Sequence, residues 1–218
     1  MGMTQESPLI ICFGDSLTAG FQSPTAENPQ GRETPYGIVL QEKLGSRARV
    51  AVSGICGELT GEMAMRFRDD VLRHAPAYVI ILGGTNDLGL NAKPADIMRS
   101  LLKMYELARS AGIETVAVSV PSLRVNEHPE GGAGLDWVRD HVDRRVALNR
   151  LIADYCVSKG IPFVDFFAAT SEAETLLLTA ACSNDGLHLT TEGYARLAHL
   201  VYREVLGPKV AQSQDHSS

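Results

Sequence analysis

Apolar positions along the chain fall into two patterns. Five short runs, residues 9–13, 49–53, 78–82, 115–120 and 162–166, are nearly or wholly apolar, as in Leu9-Ile10-Ile11-Cys12-Phe13. Strands covered on both faces read this way, because neither side of the pleat meets water. Between them lie longer stretches whose apolar residues recur at helical spacing. Residues 60–73 carry Met63, Phe67, Val71 and Leu72. Residues 94–111 carry Ile97, Leu101, Met104, Tyr105 and Ala108, and residues 137–159 carry Val138, Val142, Val146, Leu148, Ile152 and Tyr155. A further helix is expected after Thr34, with Thr34 as cap, Pro35 in its first position and Gly45 beyond its end. A last one is expected over residues 191–206. Parallel strands need crossover connections. This alternation therefore predicts a three-layer α/β/α fold around a parallel sheet of about five strands.

The chain has 218 residues, 44% of them hydrophobic and 21% charged. This suits a single domain over residues 1–207, followed by a polar tail, 208–218, expected to fray. No apolar run approaches the roughly 20 residues of a membrane-spanning helix. The formal net charge is −6, with no runs of Lys or Arg, which argues against nucleic acid as a partner. Cys12, Cys56, Cys156 and Cys182 are scattered with no Cys-x-x-Cys pair, so neither a thiolate zinc site nor a disulfide framework is expected. The first residues lack a basic segment and a signal-peptide core. The expectation is a cytoplasmic protein, or a secreted one if a signal has been removed. Oligomeric state is not legible.

Sites in open parallel sheets form beyond the carboxyl ends of the strands, so the residues following each strand matter most. After the first comes Gly14-Asp15-Ser16-Leu17, and after the second comes Ser53-Gly54-Ile55-Cys56-Gly57-Glu58. Gly83-Gly84-Thr85-Asn86-Asp87 follows the third. Asp185-Gly186-Leu187-His188 lies beyond the fifth. Between them these segments hold a hydroxyl nucleophile, backbone donors, a side-chain amide and a proton acceptor, the inventory for acyl transfer. An isolated serine in the place of Ser16 would most simply cap a helix. Cys56 reads as a small side chain without a histidine partner. Of the other histidines, His74, His128, His141, His199 and His216 read as surface or structural.

These four blocks, in this order and spanning residues 14–188, resemble the SGNH/GDSL hydrolase family of esterases and lipases. Val52 and Cys56 stand where that family often has Asn and Ser. The resemblance implies a flavodoxin-like strand order, 2-1-3-4-5, and no cofactor or metal. It implies Ser16 as nucleophile, His188 as general base and Asp185 as the carboxylate orienting it. It also implies an oxyanion hole built from the backbone N–H of Ser16, the backbone N–H of Gly57 and the side-chain amide of Asn86. Asp15, Thr85 and Asp87 flank these residues and are expected to shape the loops. A serine gains nucleophilicity only when a base takes its proton, and donors set in advance stabilise the tetrahedral oxyanion.

The expected activity is hydrolysis of a small-molecule carboxylic ester through an acyl-enzyme. Transfer to another acceptor or deacetylation of a carbohydrate is possible with the same residues, and a non-catalytic binding module is the rival from another class. The Gly-x-Ser-x-Gly elbow, the Walker loop and Gly-x-Gly-x-x-Gly after a strand are all missing from the sequence. The long loops 20–33 and 121–136, together with Trp137, are expected to wall the pocket.

Overall fold

The computed structural model describes residues 7–125 and 133–210. In chain order its elements are β1 (Leu9–Gly14), α1 (Ser16–Ala19), β2 (Phe21–Gln22), β3 (Arg32–Glu33), α2 (Tyr36–Leu44), β4 (Arg49–Gly54), α3 (Thr60–Asp70), β5 (Tyr78–Leu82), α4 (Thr85–Gly89), α5 (Pro94–Ser110), β6 (Glu114–Val118), α6 (Ala133–Lys159), β7 (Phe163–Val164), α7 (Phe166–Thr170) and α8 (Thr191–Val201). Five strands form one parallel sheet in the order β4-β1-β5-β6-β7. Counted among themselves these strands run 2-1-3-4-5. The labels differ because β2 and β3 form a separate antiparallel ribbon inside the loop 20–33.

Alternating strand residues feed two cores. Ile10, Cys12, Ile80, Leu82, Val116 and Val118 pack on one face against α2 and α8. Ile11, Phe13, Val79, Ile81 and Ala117 pack on the other against α3, α5 and α6. That two-sided burial explains the uninterrupted apolar runs. β4, at the sheet edge, is only partly covered, in keeping with its more polar sequence.

Several ends differ from the expected ones. Thr34 does not cap α2: Pro35 occupies the cap position, with no side-chain bond. The Thr34 hydroxyl instead accepts from Gln22 Nε2 at 2.6 Å, which holds the ribbon to the start of the helix. α3 stops at Asp70, and a separate 3-10 turn covers Leu72–His74. The last helix passes through a π turn at Tyr202–Leu206 and continues to Val210, which is buried. The first three positions of the stretch expected to fray are therefore helical, and residues 211–218 lie outside the described residues. Residues 126–132 of the loop 121–136 do too, while Ala133 opens α6.

β1 and β5 meet tightly where they end. A Cβ on Gly14 would lie 2.1 Å from the Leu82 carbonyl oxygen and 2.3 Å from Thr18 Oγ1. Gly61, in the first turn of α3, faces open space. Gly14→Ala should therefore lose at least about 3 kcal/mol or fail to fold, as overpacking against backbone does. Gly61→Ala should be neutral or gain up to about 1 kcal/mol from its better helix propensity. Chemical denaturation of the two variants checks the contrast. Equal stabilities would contradict the tight approach at Gly14.

Candidate active site

β1 delivers Asp15 and Ser16 to the carboxyl edge of the sheet. Asp15 Oδ1 accepts from the Leu17 N–H at 2.9 Å and so caps α1. The cap role open to an isolated serine thus falls to Asp15. Ser16 is the first helical residue, and its hydroxyl makes no hydrogen bond to the described residues. Ser16 is 2% exposed, and Asp15 is wholly buried with Oδ2 unpartnered. Burial pushes the Asp15 carboxyl up to about 7, against the lowering effect of the Leu17 N–H. The negative charges of Asp87 and Glu58 push in the same direction as burial.

The loop after β4 and the turn after β5 are bolted together. The Asn86 side-chain amide donates to the Glu58 carbonyl at 2.9 Å. An amide carries two N–H donors, and the second makes no bond to the described residues. Asp87 accepts from both the N–H and the hydroxyl of Thr60, at 3.0 and 2.8 Å. Gly57 has φ +79°, and a Cβ there would meet nothing within 4 Å. Its glycine is therefore required by the left-handed backbone angle rather than by crowding from the protein. Neither the Gly57 nor the Ser16 backbone N–H has a partner among the described residues.

Arg66, on α3, organises this corner. It pairs with Glu58 at 2.6 Å and with Asp70 at 2.7 Å. It also donates to the Gly14 carbonyl at 2.9 Å and lies 4.2 Å over the Phe13 ring. Sequence reading missed it, because an arginine on an amphipathic helix gives no sign that it points back at the sheet.

The structure brings Asp185 and His188 together: Asp185 Oδ2 lies 2.7 Å from His188 Nδ1. The other carboxylate oxygen accepts from the backbone N–H groups of Leu187 and His188, at 2.8 and 2.7 Å. Ser23, in the loop 20–33, donates to Oδ2 at 2.5 Å. Burial raises the Asp185 carboxyl, but the bonds from His188, Ser23 and the two N–H groups outweigh it and hold it well below the usual carboxylate range. An ionised carboxylate only accepts, so Nδ1 carries the proton and Nε2 of a neutral ring keeps its lone pair. The Phe21 ring packs edge-on against the imidazole, centroids 4.7 Å apart. No hydrogen bond joins Ser16 Oγ to His188, and such bonds commonly tighten only when substrate is bound.

Beside these groups lies a cavity of about 470 Å³, lined in part by Asn86, Asp185, Leu123, Trp137, His141 and Arg145. Of the two long loops only the second walls it, through Leu123–Val125. The first contributes Phe21 and Ser23 to the Asp185–His188 pair instead. His141, expected to be a surface or structural histidine, is buried, lines the cavity and packs against Trp137 with ring centroids 4.1 Å apart and planes tilted by 45°. Thr85 takes a bond from Arg145 at 3.4 Å. Among the described residues no three His, Cys, Asp or Glu side chains converge as metal ligands would.

The chain belongs to the GDSL-like Lipase/Acylhydrolase family, whose model matches residues 12–196. Among characterised relatives, an acetylxylan esterase of Geobacillus stearothermophilus is 26% identical over 206 residues, 90% of this chain and 93% of that protein. An arylesterase of Vibrio mimicus is 31% identical over 121 residues, 54% of this chain and 56% of that one. The lipase/acylhydrolase of Enterococcus faecalis shares the fold, with a TM-score of 0.72 at 22% identity, covering 92% of this chain and 96% of that one.

The Asp15 carboxyl yields a prediction about stability. In the fold it is raised to about 7, above the 3.8 of an ordinary aspartate. The fold thus favours the protonated form: the benefit is complete below pH 4 and is lost as pH rises to about 7. Asp15→Asn removes this dependence. Between pH 4 and 7 the stability difference should swing toward the variant by up to about 1.4 kcal/mol per pH unit. Urea melts across that range measure it, and parallel curves for the two proteins would show that Asp15 titrates normally.

Proposed function

We propose that the protein hydrolyses carboxylic esters through an acyl-enzyme on Ser16. His188 Nε2 takes the hydroxyl proton as Ser16 Oγ bonds to the ester carbonyl carbon. Asp185 holds the ring and stabilises the imidazolium that results. The tetrahedral oxyanion is met by the N–H groups of Ser16 and Gly57 and by the second side-chain N–H of Asn86. Collapse breaks the bond to the alcohol oxygen, which takes the proton from His188. Water then repeats the sequence, with His188 as base, and releases the acid. The observation that carries this reading is the 2.7 Å Asp185–His188 pair, with Nε2 left to act, at the same sheet edge as an unbonded Ser16 hydroxyl. Deacetylation of a carbohydrate is the second reading, favoured by the acetylxylan esterase relative aligning over 93% of its length.

Ser16→Ala removes the group that forms the acyl-enzyme. It should lower kcat at least about 10³-fold on p-nitrophenyl esters, with circular dichroism unchanged. Retained turnover ends the proposal. Asn86 gives a finer test. Asn86→Ala removes a donor and should cost roughly 10²- to 10³-fold in kcat with little change in KM. Asn86→Asp places a negative charge where the oxyanion develops, so it should be at least as damaging. An active Asp variant would reduce Asn86 to a tie for the Glu58 carbonyl.

A further inference from the structure

The cavity beside Asn86 contains a charge that the described protein does not balance. Arg145, on α6, is 2% exposed and forms part of the cavity wall. Its guanidinium donates to the Pro121 carbonyl at 3.2 Å, the His141 carbonyl at 3.2 Å and the Thr85 hydroxyl at 3.4 Å. All three acceptors are neutral and all three bonds are long. A guanidinium has five N–H donors, so two remain. No carboxylate among the described residues pairs with it. By contrast, Arg144 pairs with Asp140, Arg66 with Glu58 and Asp70, and Arg124 with Glu172.

A buried charge without a counterion is costly, and proteins retain one where something supplies the opposite charge. Burial, reinforced by the neighbouring Arg144, pulls the Arg145 pKa down to about 10, which still leaves it cationic at neutral pH. His141, beside it, is held below the usual imidazole range by burial and by the two arginines, so it favours the neutral ring and adds no second cation. The rest of the wall is apolar at Leu123, Val125 and Leu187, and its other two charged groups are already engaged, Arg124 with Glu172 and Asp185 with the His188 ring. One uncompensated cation in an apolar wall matches one negative charge on a mainly apolar body. The planar guanidinium fork suits bidentate oxyanions.

We infer that this cavity is a subsite for a monoanionic group, a carboxylate or a phosphodiester, carried by the substrate away from the scissile ester and held by Arg145. The word substrate rests on the ester-hydrolase reading; the anion site rests on Arg145 itself. Thr85 links the two, since it touches the guanidinium and adjoins Asn86 in the chain.

Calorimetric titration of the full chain with non-ester probes tests the site without turnover. Succinamate, a carboxylate monoanion, should bind at least about ten times more tightly than neutral succinamide. Dimethyl phosphate in a parallel titration distinguishes the phosphodiester source: the anion with the greater advantage over its neutral counterpart identifies the group. Arg145→Met should remove that advantage, and Arg145→Lys, which keeps the charge but not the fork, should restore part of it. Equal binding of anionic and neutral probes by the wild-type protein overturns the inference. So does undiminished anion binding by a folded Arg145→Met protein. In the kinetic arm, the ratio of kcat/KM for p-nitrophenyl hemisuccinate over p-nitrophenyl butyrate should exceed about ten and collapse toward one in Arg145→Met. A ratio near one in both proteins also overturns the inference. Arg145-dependent anion binding with no hydrolysis of either ester would reject the hydrolase reading and leave the anion site standing.

Discussion

The close convergence of β1, β4 and β5 at their carboxyl ends is the constraint on which the rest of the site depends. β1 is paired on both sides, so the segments that follow these strands must turn away within a few ångströms of one another. Gly14 admits the Leu82 carbonyl, and Gly54 admits the backbone of Ala19, 2.3 Å from where a Cβ would stand. Arg66 then clasps the corner from outside, bonding the end of β1 and the Glu58 loop together. Because the Glu58 carbonyl also receives Asn86, the position of one loop sets that of the other. The three N–H groups proposed for the oxyanion therefore belong to a single braced unit.

The same convergence gathers carboxylates that would otherwise repel. The fold handles each differently. Glu58 is neutralised by a bidentate arginine, and Asp87 is met by the N–H and hydroxyl of Thr60. Asp185 is held ionised by hydrogen bonds from the His188 ring, Ser23 and the Leu187 and His188 N–H groups. Asp15 is buried with one oxygen unmet, and there the fold favours the proton over the charge. These treatments match the roles proposed: an ionised carboxylate is needed behind the imidazole, whereas a second full charge beside Ser16 would oppose the oxyanion. Arg145 is the counterpart of opposite sign, a cation lodged in the wall of the cavity without a paired acid among the described residues.

The ribbon β2–β3 shows how a long loop serves the site without walling it. It rests on α2 and α8 through Gln22, which bonds the hydroxyls of Thr34 and Thr191. Tyr194 fixes the Phe21 carbonyl at 2.6 Å. From this support Phe21 packs on His188 and Ser23 bonds Asp185. The His188 ring is thus held from two directions, by its carboxylate and by an aromatic edge, which limits the rotation that would break its alignment.

The fold was largely legible from residues alone. Continuous apolar runs mark doubly covered strands, and helical spacing marks the crossovers, because burial acts on periodicity directly. Helix ends were less legible, since a cap depends on where the side chain finds its best partner: Thr34 went to Gln22. The pairing of Asp185 with His188 was readable because both lie on one short turn. The parts that sequence could not reveal are contacts between residues far apart in the chain. Ser23 reaches Asp185 across 162 positions and Arg124 reaches Glu172 across 48, while Arg145 meets Thr85 across 60. Local pattern determined the strands, the helices and the turns that present reactive groups. Only the packing of the sheet decided which distant side chains brace those turns, and which buried cation has no acid among the described residues, because desolvation and pairing depend on what lies nearby in space.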